Sequence, residues 1–424
     1  MQQSNLLSTR RGRFVSFALL YVSEGLPFGF SGVAIVNYLR TENASLEEIG
    51  LLAGALFLPW SFKWAWAPLV DMFRFNAYGG RKAWILACLV MMITLLLGVL
   101  ALDVSQDFTL LVTLMVIMNV FSATQDVAID SLAVSTLQPD ERARGNGYMF
   151  AGQYAGIGIG GAGAIAMFGW IGFDATLLLV ATLLTCNTLF VVYFVRDPDA
   201  AQGLTTTQGQ NPFIIFAVEL RNGFFRSGRG PLLALLFSVI PGAAIALAYA
   251  TLATIQVDYG LESSRIALLT AVNTVFAALG CVFGGMLGDR YNSRVVLFVS
   301  CLATTIPTVA LATVISNVGL TNVSIYLFSA CIIAHGFCFG SVFGVRAAVF
   351  MSVANPVVGA TMFTAFMALS NLATSYTNFW QGQVAGSYGY DTVLFIDAAL
   401  IVFGLAIIPW LKEREVAAAT QPSR

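Results

Sequence analysis

The stretch Gly285-Met-Leu-Gly-Asp-Arg290 ends an apolar run, and a similar stretch, Ala67-Pro-Leu-Val-Asp71, ends a run that lies much earlier in the chain. In both places a small residue is followed four positions later by an aspartate, and a basic turn comes next. The first copy continues with Gly79-Gly-Arg-Lys82, and the second continues with Arg290 and Arg294. This repeated motif, a small residue followed by an aspartate and a basic turn, predicts a chain built from two halves with the same order of helices.

Apolar runs of about 20 residues, the length that a helix needs to cross the hydrocarbon of a bilayer, occur twelve times in the chain. We therefore predict an all-α membrane protein with 12 transmembrane helices in two pseudo-symmetric six-helix bundles. The predicted spans are Phe14–Tyr38, Ile49–Val70, Ala83–Leu102, Phe108–Leu132, Gly145–Phe168, Ala175–Phe194, Pro231–Ile255, Ile266–Leu287, Val295–Ile315, Val323–Val345, Val357–Trp380 and Thr392–Leu411.

The longest polar gap, residues 196–230, separates the sixth span from the seventh. Its first part, residues 203–210, is rich in Thr, Gln and Gly, which is typical of a flexible linker. Its second part, Pro212–Phe225, is apolar with a few charges, so we expect a short interfacial helix there. The predicted domains are an N-terminal bundle over residues 1–195, this linker over 196–230 and a C-terminal bundle over 231–424.

The basic residues are strongly segregated. Of the 21 Lys and Arg residues, all but Arg40, Arg265 and Lys63 fall on one side of the predicted membrane, and Arg346 is counted with that majority. Cytoplasmic loops retain an excess of Lys and Arg, so the basic side is predicted to be the cytoplasm. The sequence thus predicts a multi-pass integral membrane protein with both termini in the cytoplasm.

Composition argues against several classes of protein. Hydrophobic residues make up 58% of the chain and charged residues 10%, compared with roughly 25% charged in a soluble domain. A net charge of −1 argues against a nucleic-acid partner. The six cysteines have no Cys-x-x-Cys spacing, so neither a disulfide framework nor a metal site is expected.

A glycine-rich segment in the fifth span imitates a cofactor motif. Gly156-Ile-Gly-Ile-Gly-Gly161 matches the dinucleotide-binding motif Gly-x-Gly-x-x-Gly. Because no strand is predicted before it, as that motif requires, we predict no cofactor. The spacing of Gly156 and Gly160 instead predicts a face where two helices pack closely.

The two aspartate-containing stretches resemble the signature loop of the major facilitator superfamily, Gly-x-Leu-x-Asp-Arg-x-Gly-Arg-Arg/Lys. The copy that ends at Asp289 keeps the first half of that motif, whereas Ala67 replaces the opening Gly of the other copy. The resemblance implies the major facilitator fold and transport by alternating access of two rocking bundles.

The same resemblance implies a gating latch between the bundles, made and broken as access alternates. Simple ion pairs that close each loop are the alternative interpretation. The residues of the predicted latch are Asp71, Arg81, Lys82, Asp289 and Arg290.

Four stretches of the N-terminal half carry a second, more specific resemblance: Glu24–Pro27, Ser61–Asp71, Ser122–Asp130 and Glu141–Gly147. They are similar to the branch that contains the AmpG muropeptide permeases and acetyl-CoA transporters. Those permeases continue the fourth-span motif with an aromatic, a basic and an acidic residue, where this chain has Ser131-Leu-Ala-Val-Ser135. The resemblance implies a permease of a bacterial inner membrane that imports a muropeptide-like solute. Siderophore uptake and transport of an acyl-CoA-like anion remain open as alternatives.

Charged residues inside a span cost about 2.5–3.5 kcal/mol at a helix centre, so they are expected to face a wet cavity or each other. Glu24 and Lys63 lie at similar depths in the first two spans. We therefore predict an ion pair between them that responds to protons or to the solute. A purely structural pair is the alternative.

Two aspartates four residues apart, Asp126 and Asp130, project from one face of the fourth span, with Gln125 beside them. Neighbouring carboxylates in an apolar setting are suited to binding and releasing a proton. We predict that Asp126 couples transport to protons. For Asp130 we favour a structural role, as an anchor for the loop residues Arg142 and Arg144.

His335, the single histidine, falls in the middle of the tenth span. Because histidine titrates near neutrality, it is suited to relaying protons or contacting an anionic solute. A histidine that is hydrogen-bonded between helices is the alternative.

The sequence thus predicts a proton-coupled secondary active transporter rather than an enzyme. Its expected partners are a small organic solute, protons and the lipid bilayer, and we expect it to function as a monomer. No phosphate-binding loop of the type Gly-x-x-x-x-Gly-Lys-Ser/Thr occurs, so ATP hydrolysis is not expected. A polytopic membrane enzyme, the alternative from another class, would need a concentrated His/Asp or Ser/His constellation.

Overall fold

The computed structural model describes residues 5–41, 52, 55–56, 58–73, 75, 79–102, 107–198, 212–248, 250–355 and 358–411. Over these residues the chain forms helices and no strand, which confirms the predicted all-α class. Within the same residues, nine helices are long and apolar enough to cross a membrane, as expected for a multi-pass membrane protein. These are Arg10–Leu39, Arg81–Ala101, Phe108–Thr136, Pro139–Ile171, Phe173–Phe194, Arg265–Arg290, Ser293–Val318, Ile325–Val353 and Tyr390–Trp410.

The described residues of the N-terminal half include eight regular helical segments, and two of its long helices pass through a wider π-helical turn. The turns are Phe30–Ala34 and Ile159–Gly163. The segments are α1 (Arg10–Gly29), α2 (Ile35–Thr41), α3 (Ala67–Met72), α4 (Arg81–Gly98), α5 (Phe108–Thr136), α6 (Arg142–Gly158), α7 (Ala164–Ile171) and α8 (Phe173–Phe194).

A short helix, α9 (Pro212–Arg221), lies in the segment between the halves and continues into a π-helical turn at Asn222–Arg226. Seven helices follow in the described residues of the C-terminal half. They are α10 (Gly230–Val239), α11 (Ala250–Asp258), α12 (Ser263–Arg290), α13 (Ser293–Val318), α14 (Ile325–Val353), α15 (Gly359–Tyr388) and α16 (Tyr390–Ile407).

Three predicted spans lie outside the set of nine long apolar helices. The eleventh corresponds to α15, which is 30 residues long. The second lies partly outside the described residues and ends in the 3-10 turn Lys63–Ala65 followed by α3. The seventh is divided between α10 and α11.

The break in the seventh span has a local cause. Residues 240–248 form no regular helix and include Pro241 and Gly242. Proline removes a backbone N–H and clashes with the preceding turn, and glycine weakens a helix because it has more conformational freedom to lose. The continuous helix predicted over Pro231–Ile255 is therefore wrong at this point.

The helices α1 and α6 pack with their backbones in contact. A Cβ added to Gly156 would lie 2.4 Å from the Val22 carbonyl oxygen, and one added to Gly160 would lie 2.1 Å from the Leu26 carbonyl oxygen. Since no larger residue fits there, the predicted glycine packing face is confirmed. The close approach brings the side chains of α6 within reach of the polar face of α1.

The two halves pack against each other through α6 and α12. A Cβ on Gly147 would lie 2.3 Å from the Cys281 carbonyl oxygen, and one on Gly285 would lie 2.5 Å from the Ala143 carbonyl oxygen. These crossings lie near the start of α6 and the end of α12. We call this end of the bundle, where α1 and α6 begin, the basic end.

Candidate functional site

The charged residues predicted inside the N-terminal half form one buried group, which we call the acidic cluster: Glu24, Lys63, Asp126 and Asp130. Glu24 comes from α1 and both aspartates come from α5, whose i, i+4 spacing points them to one side. Lys63 begins the 3-10 turn that precedes α3. The structure therefore brings together residues that are far apart in the chain.

Lys63 forms an ion pair with Asp126, so the predicted pair with Glu24 is wrong. The Lys63 ammonium contacts Asp126 Oδ2 and lies 5.4 Å from the centre of the Trp60 ring. Depth along a helix does not fix the direction of a side chain. Here the 3-10 turn winds more tightly than an α-helix and changes that direction.

Glu24 has a different set of neighbours. Gln153 of α6 donates a hydrogen bond from Nε2 to Glu24 Oε1, and the Asp126 carboxyl lies within hydrogen-bonding reach of Glu24. Among the described residues, Glu24 Oε2 has no donor. Since two ionised carboxylates offer each other only acceptors, a proton on either one would supply the missing hydrogen bond.

Asp130 is buried against α1. Its Oδ1 accepts a hydrogen bond of 2.5 Å from the Tyr21 hydroxyl. The predicted anchoring of Arg142 and Arg144 by Asp130 is therefore wrong. Arg144 instead has its Nε 3.5 Å from Asp289 Oδ2, in the other half of the protein.

The wall of the acidic cluster includes one predicted residue and two that sequence reasoning missed. Gln125 is fully buried and donates from Nε2 to Ser23 Oγ at 3.0 Å. Tyr21 lies three residues before Glu24, so its place on the same face of α1 is visible in the sequence. Gln153 has no such signal, because the packing of α6 on α1 brings it there.

The acidic cluster holds three carboxyl groups and one ammonium group. The charge of Lys63 acts on Glu24 and Asp130 as well as on Asp126. If all four groups were ionised, three negative charges would face one positive charge in an apolar interior, which is costly. A proton bound to one of the three carboxyl groups would reduce this excess of negative charge around Lys63.

His335 is buried in α14 and contacts the break in the seventh span. Its Nε2 lies 2.9 Å from the Ala244 carbonyl oxygen, and its ring stacks on Phe339 with the ring centres 5.7 Å apart. This is the geometry of the alternative interpretation, a histidine hydrogen-bonded between helices. It satisfies a carbonyl that the broken helix leaves without a helical partner.

Asp397 of α16, which sequence reasoning missed, forms hydrogen bonds to the irregular backbone at the same break in the seventh span. Its Oδ2 accepts hydrogen bonds from the backbone N–H groups of Ile245 (2.8 Å) and Ala246 (2.9 Å). Its Oδ1 accepts one from Gln381 Nε2 at 2.9 Å. An aspartate inside the twelfth predicted span was a visible signal, because ionisable residues in spans are rare.

Asp71 and Asp289 each contact the start of a helix in the opposite half. Asp71 Oδ2 accepts hydrogen bonds from Thr361 N (2.8 Å) and Thr361 Oγ1 (2.9 Å), near the start of α15. Asp289 Oδ1 accepts one from Arg144 N at 3.0 Å, near the start of α6. A carboxylate at this position pairs free N–H groups and faces the positive end of the helix dipole. The two aspartates thus join the halves at the basic end.

Two basic residues of the predicted latch make contacts within the N-terminal half. Arg81 is buried, with Nη1 3.2 Å from Asp197 Oδ1. Lys82 donates from Nζ to the Val192 carbonyl oxygen at 2.8 Å. These contacts tie the start of α4 to the end of α8.

The cations that reach Asp289 come from the other half rather than from its own loop. Besides Arg144, Arg10 has its Nη2 3.6 Å from Asp289 Oδ2. Arg290 lies with its guanidinium carbon 5.6 Å from the centre of the Tyr291 ring. At Asp289 the contacts therefore run between the halves, and the alternative interpretation, an ion pair that closes its own loop, is not what the structure shows there.

Two sequence comparisons bear on the identity of the chain. The family model described as Major Facilitator Superfamily matches residues 17–375 and 234–424. The anhydromuropeptide permease of Escherichia coli strain K12 is 23% identical over 417 residues, covering 96% of this chain and 81% of that protein.

Solved structures give the same fold. A bacterial homologue of the iron transporter ferroportin, in its outward-facing state, has a TM-score of 0.69 at 15% identity and covers 95% of this chain and 99% of that chain. The fucose:proton symporter of E. coli has a TM-score of 0.68 at 11% identity, with 94% and 98% covered. These likenesses confirm the predicted fold.

Proposed function

Because the chain belongs to the Major Facilitator Superfamily, we propose that it is a proton-coupled secondary active transporter that imports an organic solute by alternating access. The proposed solute is an anhydromuropeptide, the class named for the E. coli permease. The proposed location is a bacterial inner membrane with the basic end in the cytoplasm, since loops rich in Lys and Arg remain there.

The observation that carries proton coupling is the pair of facing carboxyl groups, Glu24 and Asp126, beside Lys63. Asp126 is the partner of Lys63 and also the neighbour of Glu24. A proton gained by either carboxyl fills the missing hydrogen bond at Glu24 Oε2 and lowers the net negative charge of the cluster. A proton lost from it leaves like charges facing each other, which favours a different arrangement of the helices that carry them.

This charge change supplies the coupling. A ligand shifts a conformational equilibrium only by its difference in affinity for the two states. The neutralised cluster costs less to bury between closely packed helices, and the ionised cluster favours a state in which water reaches it. Protons loaded from the outside and released to the cytoplasm would therefore drive the cycle in the direction of import.

The latch residues fit the same cycle. The halves are held together at the basic end by Asp71 with Thr361 and by Asp289 with Arg144. We assign this arrangement to a state closed toward the cytoplasm. Entry of the solute into the cytoplasm would require both contacts, and the crossing of α6 with α12, to separate.

The solute is the less constrained part of the proposal, because Ser131–Ser135 departs from the pattern of AmpG-like permeases. The test is uptake into proteoliposomes under an imposed pH gradient, with labelled anhydromuropeptide, a ferric siderophore and an acyl-CoA compared. We expect anhydromuropeptide to accumulate and a protonophore to abolish its accumulation. Accumulation of a different solute alone would contradict the choice of solute, and accumulation insensitive to the protonophore would contradict coupling.

Two variants complete this experiment. Asp126→Asn should lose accumulation, because it cannot carry the coupled proton. Asp174→Asn is the matched control, since Asp174 is exposed in the first turn of α8 and belongs to neither the acidic cluster nor the latch. It should accumulate solute like the unaltered protein.

A further inference from the structure

Of the three carboxyl groups in the acidic cluster, that of Asp130 lies nearest the basic end. It precedes the end of α5 at Thr136 by six residues, whereas Asp126 precedes that end by ten. The start of α6 follows closely in the chain, so this end of α5 is at the basic end. Side chains four residues apart on a helix are neighbours, with Cβ atoms about 5–6 Å apart. Asp130 is therefore one step from Asp126 in the direction of the basic end.

A hydrogen bond from Tyr21 fixes the carboxyl group of Asp130. Both side chains are buried, and the Tyr21 hydroxyl donates to Asp130 Oδ1 at 2.5 Å. A carboxyl group has two oxygens, so Asp130 can hold a proton on Oδ2 while Oδ1 keeps the bond from Tyr21. A hydrogen bond to an ionised carboxylate is stronger than one to a neutral carboxyl group. The bond from Tyr21 therefore helps Asp130 to give up a proton.

Asp130 differs from Asp126 in its charged neighbours. Among the described residues, Lys63 pairs with Asp126, and no Lys or Arg forms an ion pair with Asp130. The groups that face Asp130 are Tyr21 and Glu24 from α1, Lys63 from the 3-10 turn and Asp126 from its own helix. A charge on Asp130 is therefore costly while the site is dry, and contact with water reduces that cost.

Aromatic rings cover this site on the side of the C-terminal half. The ring centre of Phe150, on α6, lies 5.7 Å from that of Tyr21 and 5.1 Å from that of Phe343. Phe343 belongs to α14, in the other half of the protein. The contact between Phe150 and Phe343 is therefore lost when the halves separate at the basic end, and water can then reach Tyr21 and Asp130.

We propose that Asp130 and Tyr21 form the site from which the coupled proton is released to the cytoplasm. In the transfer, the O–H bond on the Asp126 carboxyl breaks and an O–H bond forms on Asp130 Oδ2, which leaves the Asp126 carboxylate paired with Lys63. When the halves separate, water takes the proton from Asp130, and the carboxylate keeps the bond from Tyr21. The inference rests on the proposed proton coupling and adds to it the group that discharges the proton.

The first test separates exchange from accumulation in proteoliposomes, with labelled anhydromuropeptide as the probe. Exchange with preloaded solute needs no release of the proton, whereas accumulation under a pH gradient needs one release in every cycle. Asp130→Asn should therefore exchange solute like the unaltered protein but should accumulate it roughly tenfold more slowly or worse, with an unchanged KM. Asp174→Asn, at an exposed residue of α8, is the matched control and should change neither rate.

Tyr21→Phe tests the release step without removing a carboxyl group. Loss of the hydroxyl removes a bond that is stronger to the ionised form of Asp130, so release should need a higher pH in the lumen. The lumen pH that gives half the maximal rate of uptake should therefore move upward, with an unchanged KM. Tyr193→Phe, at an exposed tyrosine of α8, is the matched control and should leave this pH where it is. An unchanged pH dependence in Tyr21→Phe contradicts the release site.

Two outcomes distinguish this inference from the proposed function. Uptake by the unaltered protein that carries no protons contradicts proton coupling, and the release site with it. Proton-coupled uptake that Asp130→Asn leaves undiminished contradicts the release site alone.

A second measurement needs no solute, so it decides the inference even if anhydromuropeptide is not transported. Infrared difference spectra of the purified protein, recorded between acid and alkaline buffer, detect protonated carboxyl groups. One carboxyl band should be absent in Asp130→Asn, and it should move to higher frequency in Tyr21→Phe because its carbonyl loses a hydrogen bond. Should Asp130→Asn fail to fold, Tyr21→Phe gives the same test. A spectrum of Tyr21→Phe identical to that of the unaltered protein contradicts the release site.

Discussion

Lys63 and Asp126 form an ion pair in the interior of the N-terminal half, with side chains that are 4% and 5% exposed. Taking one partner away from such a pair leaves an uncompensated buried charge and costs about 3–5 kcal/mol, whereas replacing both can be nearly neutral. The pair therefore offers a way to separate a structural effect on stability from a functional effect on transport.

Asp126→Asn should lower the unfolding temperature, because Lys63 then lacks its counter-ion. The double variant Lys63→Met with Asp126→Asn should regain most of the lost stability but should not accumulate solute. Thermal unfolding in detergent and uptake into proteoliposomes measure the two effects. A double variant that accumulates solute would show that the pair is structural only.

Glu24→Gln should abolish accumulation while sparing exchange. The amide fills the space of the carboxyl but cannot gain or lose the proton, so solute would still move down its gradient. Counterflow with preloaded solute measures exchange, and uptake under a pH gradient measures accumulation. Glu219→Gln, in the linker helix α9, is the control. Normal accumulation by Glu24→Gln would exclude Glu24 from coupling.

Removing a latch aspartate should open the basic end. Asp289→Ala removes the hydrogen bond to Arg144 N and the attraction to Arg10. The loss of a helix cap costs about 0.5–2 kcal/mol, which shifts the equilibrium roughly two- to thirtyfold. Cys281 is buried where α12 crosses Gly147, so maleimide labelling of a protein with Cys281 as its single cysteine should become faster.

The control for this labelling experiment is a second protein in which the single cysteine is Cys301, which is buried in α13 within the C-terminal half. Its labelling rate should not change in Asp289→Ala. If the rate at Cys281 is also unchanged, the contacts of Asp289 do not hold the basic end closed.

Gly147→Ala should prevent the two halves from closing at the basic end. The added Cβ would lie 2.3 Å from the Cys281 carbonyl oxygen, and backbone atoms cannot move aside as a flexible side chain can. Overpacking of this kind costs about 1–3 kcal/mol, so uptake should fall roughly fivefold or more. Gly158→Ala is the matched control on the same helix, since its Cβ would have nothing within 4 Å. Equal uptake by both variants would contradict the role given to this crossing.

The helical framework could be predicted from the sequence because a membrane leaves few options. A span must be about 20 apolar residues long, so runs such as Phe108–Leu132 and Val295–Ile315 indicate their helices directly. The repeated aspartates Asp71 and Asp289 also identified the contact region between the halves. Their partners Thr361 and Arg144 could not be identified, because those lie on the opposite half.

Which residues pair inside the acidic cluster depends on the direction in which each side chain leaves its helix, and not only on the depth of the residue in the membrane. Lys63 and Glu24 lie at matching depths, yet the 3-10 turn at Lys63 directs its side chain to Asp126. Gln153 reaches Glu24 only because glycines let α6 pack closely on α1. The Pro241-Gly242 pair, by contrast, was a local signal of the break in the seventh span that the hydropathy pattern concealed.

Movement of protons with the solute tests the central claim most directly. Proteoliposomes loaded with a pH-sensitive dye, with no initial pH gradient, receive anhydromuropeptide on the outside. Proton-coupled import predicts that the lumen becomes acidic as solute enters through the unaltered protein, and that Asp126→Asn gives no such change. Entry of the solute through the unaltered protein without acidification of the lumen would contradict it.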